Sequence, residues 1–325
     1  VKELSTKVIT HRKSYIDLIR GIGILLIILA HVNPPFLLYN IRSFDVSLMV
    51  FVSGLAYSGR SLIFNKSFFI KRTLRLVLPL WIFLSFLFLI NIPFQFIPNL
   101  TTKKVLETFL LGKGIGYVWI FRVFLLIALL MPLLIKINQK IKNDFLFMLL
   151  IIVILSCQNY MASCEFILSH TFTRSVLLYA IGYSILFLIG YRLPQMSKRN
   201  TVVYFMIFLF ILIGTALYLN TIDFSNYKYP PSSIYLLYGL VCSIMIYILL
   251  NRTELGGGIT FIGRNTNWIY LWHILFVTLV NNLFQSADWW IRFLFVLFFS
   301  VMVAYVQYRL VLKSNGSFLN NYFRG

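Results

Sequence analysis

His31 stands eleven residues beyond Arg20 in an apolar run that opens Ser14-Tyr15-Ile16-Asp17. At about 1.5 Å per residue of helix, the two are separated by roughly 16 Å along the axis. An ionisable ring at that depth of a membrane span is costly, and imidazole exchanges a proton near neutral pH, so His31 suits a general base. The competing reading is a neutral histidine hydrogen-bonded between helices. Asp17 and Arg20, three residues apart, share a helix face and can pair. Asp45 enters the next apolar run from the end toward which His31 points. Its carboxylate there either orients the imidazole or caps the helix amino end.

A second group of chemistry-bearing residues is cationic. Arg72 and Arg75 are spaced three apart with Lys71 beside them, ahead of Pro79. Paired guanidinium forks suit phosphate oxygens better than ammonium groups do, and Arg20 faces the same end. The alternative is that these cations only anchor the chain against anionic lipid. Tyr117, Trp119, Trp289 and Trp290 offer rings on which a sugar can stack, or else form the aromatic belt of a membrane interface. His273, after Trp272 in an apolar setting, is either a support or ligand contact of a site or an interhelical hydrogen-bond partner. His11 and His170 fall in loops and carry no signal. Cys157, Cys164 and Cys242 have no metal-ligand spacing, so no metal is expected; a Cys157 to Cys164 bridge is open if that loop faces an oxidising compartment.

The elements that must position these groups follow from composition. Of 325 residues 60% are hydrophobic and 12% charged, and the mean hydropathy is +0.85, which leaves too little polar surface for a soluble globule. The apolar runs are continuous and near the length of about twenty residues that a helix needs to cross a bilayer, so an all-α polytopic bundle is expected and a β-barrel is not. Ten spans are expected near 18–38, 44–64, 76–97, 117–137, 144–158, 174–191, 201–219, 234–250, 267–284 and 289–312. Pro34-Pro35, Pro93, Pro98 and Pro230-Pro231 mark span ends or loops. Ser53 and Gly54 in the second span either let that helix pack closely or leave room for a narrow ligand.

The net charge of +20 would suggest nucleic acid in a soluble chain, but the cations lie between apolar runs, and no nucleic-acid partner is expected. With the amino terminus cytoplasmic, twenty of the 29 Lys and Arg fall in inner segments and seven in outer ones; Arg20 and Arg122 lie near or within spans. The positive-inside rule then puts both termini in the cytoplasm. No cleavable leader is apparent before the first span, and no linker divides the chain, so residues 1–325 read as one membrane domain with a cytoplasmic segment 1–14 and a tail 313–325.

Several of these segments together resemble the integral-membrane acyltransferase family 3. They are the run from Tyr15 to His31 with ten residues between Arg20 and His31, Phe44-Asp45 to Ser53-Gly54, and Arg72-x-x-Arg75 ahead of Pro79. Gly116-Tyr117-Val118-Trp119 to Met131-Pro132-Leu133 and Ile262-Gly263-Arg264-Asn265 to Trp272-His273 agree. Leu18-Ile19 and Ala56-Tyr57 depart from the usual pattern. The resemblance implies transfer of an acetyl or other acyl group from cytoplasmic acetyl-CoA to a hydroxyl of a cell-surface polysaccharide or its lipid-linked precursor, in a bacterial cytoplasmic membrane. Catalysis would fall to His31 with Asp45, donor binding to Arg20, Lys71, Arg72 and Arg75, and acceptor binding to Tyr117, Trp119 and His273. Many relatives carry an appended extracytoplasmic hydrolase-like domain; this chain is similar to the single-domain members. A transporter or flippase for an anionic glycolipid is the rival reading, since it also needs about ten helices, inner arginines and a buried histidine.

Overall fold

The computed structural model describes residues 14–60, 63–253, 257–314 and 317–323. His11 and the expected inner cations Lys2, Lys7, Arg12 and Lys13 lie outside the described residues. In chain order the helices are α1 Ser14–Ala30, α2 Phe36–Ile41, α3 Asp45–Tyr57, α4 Lys66–Phe94, α5 Thr102–Phe109, α6 Trp119–Lys140, α7 Asp144–Ser163 and α8 Glu165–Ser169. They continue as α9 Leu178–Arg192, α10 Lys198–Tyr218, α11 Ser233–Leu250, α12 Gly258–Arg264, α13 Thr266–Leu283, α14 Trp289–Lys313 and α15 Ser317–Tyr322. The described residues contain no strand, and this is an all-α, multi-pass membrane protein.

Eight helical segments are long and apolar enough to cross a bilayer, with α2 and α3 counted together as 36–57. The other two expected spans are helical but fall short for different reasons. α1 has only 17 residues, and α13 interrupts its apolar face with Asn267, His273, Asn281 and Asn282. His31 directly follows the first of these helices, and His273 lies within the second.

Boundaries differ from expectation where local chemistry overrides hydropathy. The first span was expected to run to residue 38. It ends at Ala30 because Asn33 adopts a left-handed conformation at φ 54° and Pro34-Pro35 cannot continue the ladder. The following span accordingly begins at Phe36, with a tight turn of helix at Arg42–Phe44. α4 begins ten residues earlier than expected, at Lys66, because Asn65 caps it by accepting the Phe68 N–H at 2.9 Å. Arg72 and Arg75 are therefore helical. Pro93, expected to end a span, lies in the last turn of α4. Pro79 sits inside α4, where it has no N–H to offer the Arg75 carbonyl. α7 runs to Ser163 rather than 158, and Cys157 and Cys164 are free thiols.

α9 is the enclosed centre of the bundle, with every residue from Leu178 to Arg192 buried except Ile181. α3 packs on it more extensively than any other pair of elements does, and glycines set the distance. A Cβ on Gly54 would fall 2.3 Å from the Phe187 carbonyl oxygen, and one on Gly190 would fall 2.1 Å from that of Phe51. The two backbones are in contact, so of the two readings of Gly54 the structure takes close packing. No space for an acyl arm is left there. Ser53 turns its hydroxyl back to the Met49 carbonyl at 3.1 Å. α1 crosses α12 with similar closeness, since a Cβ on Gly263 would overlap the Asp17 carbonyl at 1.7 Å.

One buried guanidinium closes the far side. Arg192 donates to Asp144 Oδ1 at 2.7 Å and to the carbonyls of Asn138, Ile141 and Lys142 at 3.0, 2.7 and 2.7 Å. The last carbonyls of α6 lack helical partners, and Arg192 supplies them. It thereby locks the α6–α7 turn onto α9.

Candidate active site

The end of α1 fixes the chemistry of His31. The His31 N–H bonds to the Ile28 carbonyl at 3.0 Å in a tightened last turn, which leaves the Ile27 carbonyl without its usual partner four residues on. The His31 side chain fills that vacancy, with Nδ1 2.8 Å from Ile27 O. A carbonyl only accepts, so Nδ1 carries the hydrogen and Nε2 of the neutral ring keeps its lone pair. No described residue hydrogen-bonds Nε2.

Two other expected site residues meet this ring. The Tyr117 ring lies 5.1 Å from it and the His273 ring 5.3 Å, centroid to centroid, and Tyr117 and His273 are 6.4 Å apart edge to face. His273 is fully buried. Its Nδ1 donates to the Tyr270 carbonyl, and its Nε2 is enclosed without a partner among the described residues. Tyr117 is brought in by its backbone, because the Tyr270 hydroxyl donates to its carbonyl at 2.5 Å. The chain reaches this point through Gly116 at φ 87°, a conformation that side chains disfavour. His273 is the eighth residue of the 18-residue α13, roughly 10 Å along its axis. His31 thus lies level with the middle of a neighbouring helix although it ends its own.

Asp45 does not contact the imidazole as an orienting carboxylate would. Its Oδ2 accepts from Arg42 Nη1 at 2.7 Å, and its Oδ1 from Lys228 Nζ and the Val46 N–H, each at 2.7 Å. The Ile27 carbonyl takes the place at His31 Nδ1 that an orienting carboxylate would fill. Arg42 is 2% exposed and Lys228 4%, which makes this a buried ion triad. Burial draws the Lys228 ammonium below the ordinary lysine range, and the Asp45 charge opposes that shift. Lys228 also lies over the rings of Trp119, Tyr229 and Tyr235, 5.8, 5.7 and 6.0 Å from their centroids. Trp119, the first residue of α6, touches Tyr229 at 5.2 Å and Tyr179 at 6.0 Å.

The expected donor cations gather at the opposite end. Gly23 of α1 meets Met49 of α3, and these helices run against each other, so the start of α1 and the end of α3 share one end of the bundle. There Arg20 lies 3.6 Å from Asp17, the pairing expected from their spacing, and Asp17, fully buried, also accepts from Arg264 Nε at 3.2 Å. Arg72 stacks over Tyr57 at 5.5 Å, with Arg60 5.9 Å from the same ring, and Arg72 Nε is enclosed without a partner. Lys71 and Arg75 are exposed. The exposed His170 only folds back on its own helix, to the Phe166 carbonyl at 2.9 Å.

Sequence reasoning gave Arg42, Lys228, Tyr57 and Tyr270 no role in the site. The Arg42-x-x-Asp45 spacing was the available signal for the first; nothing local reveals Lys228 as its third member.

The family model described as an acyltransferase domain matches residues 13–309. That span takes in every helix from α1 to most of α14, with His31, Tyr117 and His273 inside it. The chain belongs to acyltransferase family 3. It is a membrane acyltransferase, which displaces the transporter reading. No curated protein and no solved structure matches.

Proposed function

We propose that this family 3 acyltransferase moves an acetyl group from cytoplasmic acetyl-CoA to a hydroxyl of a cell-surface polysaccharide or its lipid-linked precursor, in a bacterial cytoplasmic membrane, with the whole chain as one catalytic domain. The observation that carries this reading is the state of His31, whose Nδ1 is tied to Ile27 O while Nε2 is left as a base beside Tyr117 and His273. No metal is invoked, and the described residues hold no group of three metal-ligating side chains.

Acetyl-CoA supplies a thioester carbonyl and a string of phosphates. Its anionic end fits the set formed by Arg72, Arg75, Lys71 and Arg20, where the enclosed Arg72 Nε lacks an acceptor and a phosphate oxygen meets that need. At the other end His31 Nε2 removes the proton from the acceptor hydroxyl as its oxygen bonds to the thioester carbon. The C–S bond then breaks, and the imidazolium returns the proton to the leaving sulfur. An acetyl-histidine relay, loaded from the cytoplasm and discharged outward, is the variant of this scheme to be separated from it.

Purified protein in sided proteoliposomes tests the reading, with acetyl-CoA enclosed on the side of the Arg72 end of α4 and glycan acceptor on the other. Acetyl ester formed on the acceptor, and missing from surface glycan of cells without the protein by mass spectrometry, is the expected result. Transfer only when both reactants share the cytoplasmic side would replace the through-membrane scheme with an inner-face reaction. A radiolabelled acetyl-enzyme trapped without acceptor would favour the relay.

A further inference from the structure

At the end of the bundle where His31 lies, positive charge exceeds negative charge inside the protein. Lys228 and Arg122 are linked there through aromatic rings, and Arg42 joins Lys228 through Asp45. Lys228 Nζ lies 5.8 Å from the Trp119 ring, Trp119 lies 6.0 Å from Tyr179, and Arg122 lies 5.4 Å from Tyr179. Asp45 answers Arg42 and Lys228 together. Arg122, one turn into α6, forms an ion pair with no described carboxylate, and its Nε is enclosed without a hydrogen-bond partner. Among the described residues the linked cluster therefore holds three cations and one carboxylate.

Two features set this excess apart from ordinary lipid anchoring. The distribution of lysine and arginine assigns this end to the outer face, where topology calls for few cations. An arginine half-buried against a tyrosine ring also loses part of its hydration, and one ring face answers only some of that loss. A ligand anion completes the set. The surface at this point suits a sugar as well, because Trp119 is half-buried and Tyr229 is 56% exposed, with their rings edge to face.

We propose that the acceptor is an acidic saccharide, whose carboxylate or phosphate pairs with Arg122 while Trp119 and Tyr229 stack on its rings. Lys228, 5.8 Å from the Trp119 ring, shares one carboxylate with Arg42, so the net charge of that triad adds to the positive potential that the acidic group meets. This names the substrate class of the acceptor site and rests on the reading of that site given above.

Binding measured without acetyl-CoA separates this proposal from the acetyl-transfer reading. The protein in neutral-lipid nanodiscs is titrated with a hexuronic-acid oligosaccharide, with its carboxyl-reduced counterpart, and with a phosphate-bearing oligosaccharide of the same length. One or both acidic probes should bind on the order of tenfold to a hundredfold more tightly than the reduced one. Arg122→Gln should erase the difference, and Arg122→Lys should retain part of it because charge survives without the fork. Should Arg122→Gln not yield folded protein, Arg122→Lys and the salt dependence of wild-type binding carry the same comparison. Equal binding of all three probes, or a preference that Arg122→Gln leaves intact, overturns the proposal. So does a preference abolished by adding phosphatidylglycerol to the nanodiscs, which would assign the anion to a lipid headgroup. Absence of acetyl transfer in the presence of this binding preference would instead count against the enzyme scheme alone.

Discussion

The imidazoles of His31 and His273 lie 5.3 Å apart, and each spends its Nδ1 hydrogen on a carbonyl of its own helix. Both Nε2 atoms are left as acceptors, and that of His273 is sealed from any partner among the described residues. A hydroxyl has one hydrogen to give, and in the proposed scheme the acceptor hydroxyl gives it to His31 Nε2.

Removing the base therefore has a larger effect on chemistry than on binding. His31→Ala should lower acetyl transfer by about 10²-fold to 10⁴-fold, the range for a positioned general base, while acetyl-CoA binding in detergent changes little. Transfer at close to the wild-type rate would exclude His31 from the chemistry.

Arg72→Ala and Arg75→Ala should each weaken acetyl-CoA binding by about 1.5–3 kcal/mol through lost charge-assisted contacts, and lysine should rescue only in part. Of the two, Arg72 should respond to its neighbour: Tyr57→Leu removes the ring over which Arg72 is held and should weaken the donor while Arg75 is intact. Calorimetry on the purified variants measures both. Unchanged affinity in the Arg72→Ala, Arg75→Ala double variant would move the donor site elsewhere.

Asp45 should matter first as a counter-charge. Asp45→Asn leaves Arg42 and Lys228 buried without a carboxylate, a change on the order of 3–5 kcal/mol. Lys228→Met leaves the Arg42–Asp45 pair balanced and should cost less. Thermal unfolding in detergent ranks the two variants. A well-folded Asp45→Asn protein with no activity would instead assign the carboxylate to the chemistry.

Gly54→Ala should lower stability by about 1–3 kcal/mol or more, since the added methyl meets the Phe187 carbonyl at 2.3 Å. The readout is the melting midpoint and the yield of monodisperse protein. A normal midpoint with reduced turnover would revive the view that Gly54 borders an acyl path.

Topology is tested by cysteine accessibility. A cysteine at Lys140, at the end of α6, should be labelled only after cells are permeabilised, because the cation distribution puts this turn with both termini inside. Labelling in intact cells would invert the arrangement.

Much of this protein is legible in one dimension. Hydropathy and span length alone required a helical membrane bundle, because a continuously apolar run has no other way to satisfy its backbone in lipid. The ten expected spans correspond to ten helical segments. Spacing alone also paired Asp17 with Arg20, since residues three apart on a helix are neighbours wherever that helix lies.

The tertiary structure decided what depends on partners far along the chain. Sequence position left Asp45 open between orienting His31 and capping its own helix, whereas in the structure Lys228, brought in by the loop before α11, and Arg42 claim the carboxylate. Small residues at 53 and 54 read equally well as a gap or a contact until α9 occupied the space. The tautomer of His31 depends on one turn of helix tightening at Ile28, which frees the Ile27 carbonyl. Hydropathy is a local sum, whereas charge compensation, backbone contact and a carbonyl without a partner are settled only when separate helices close on one another.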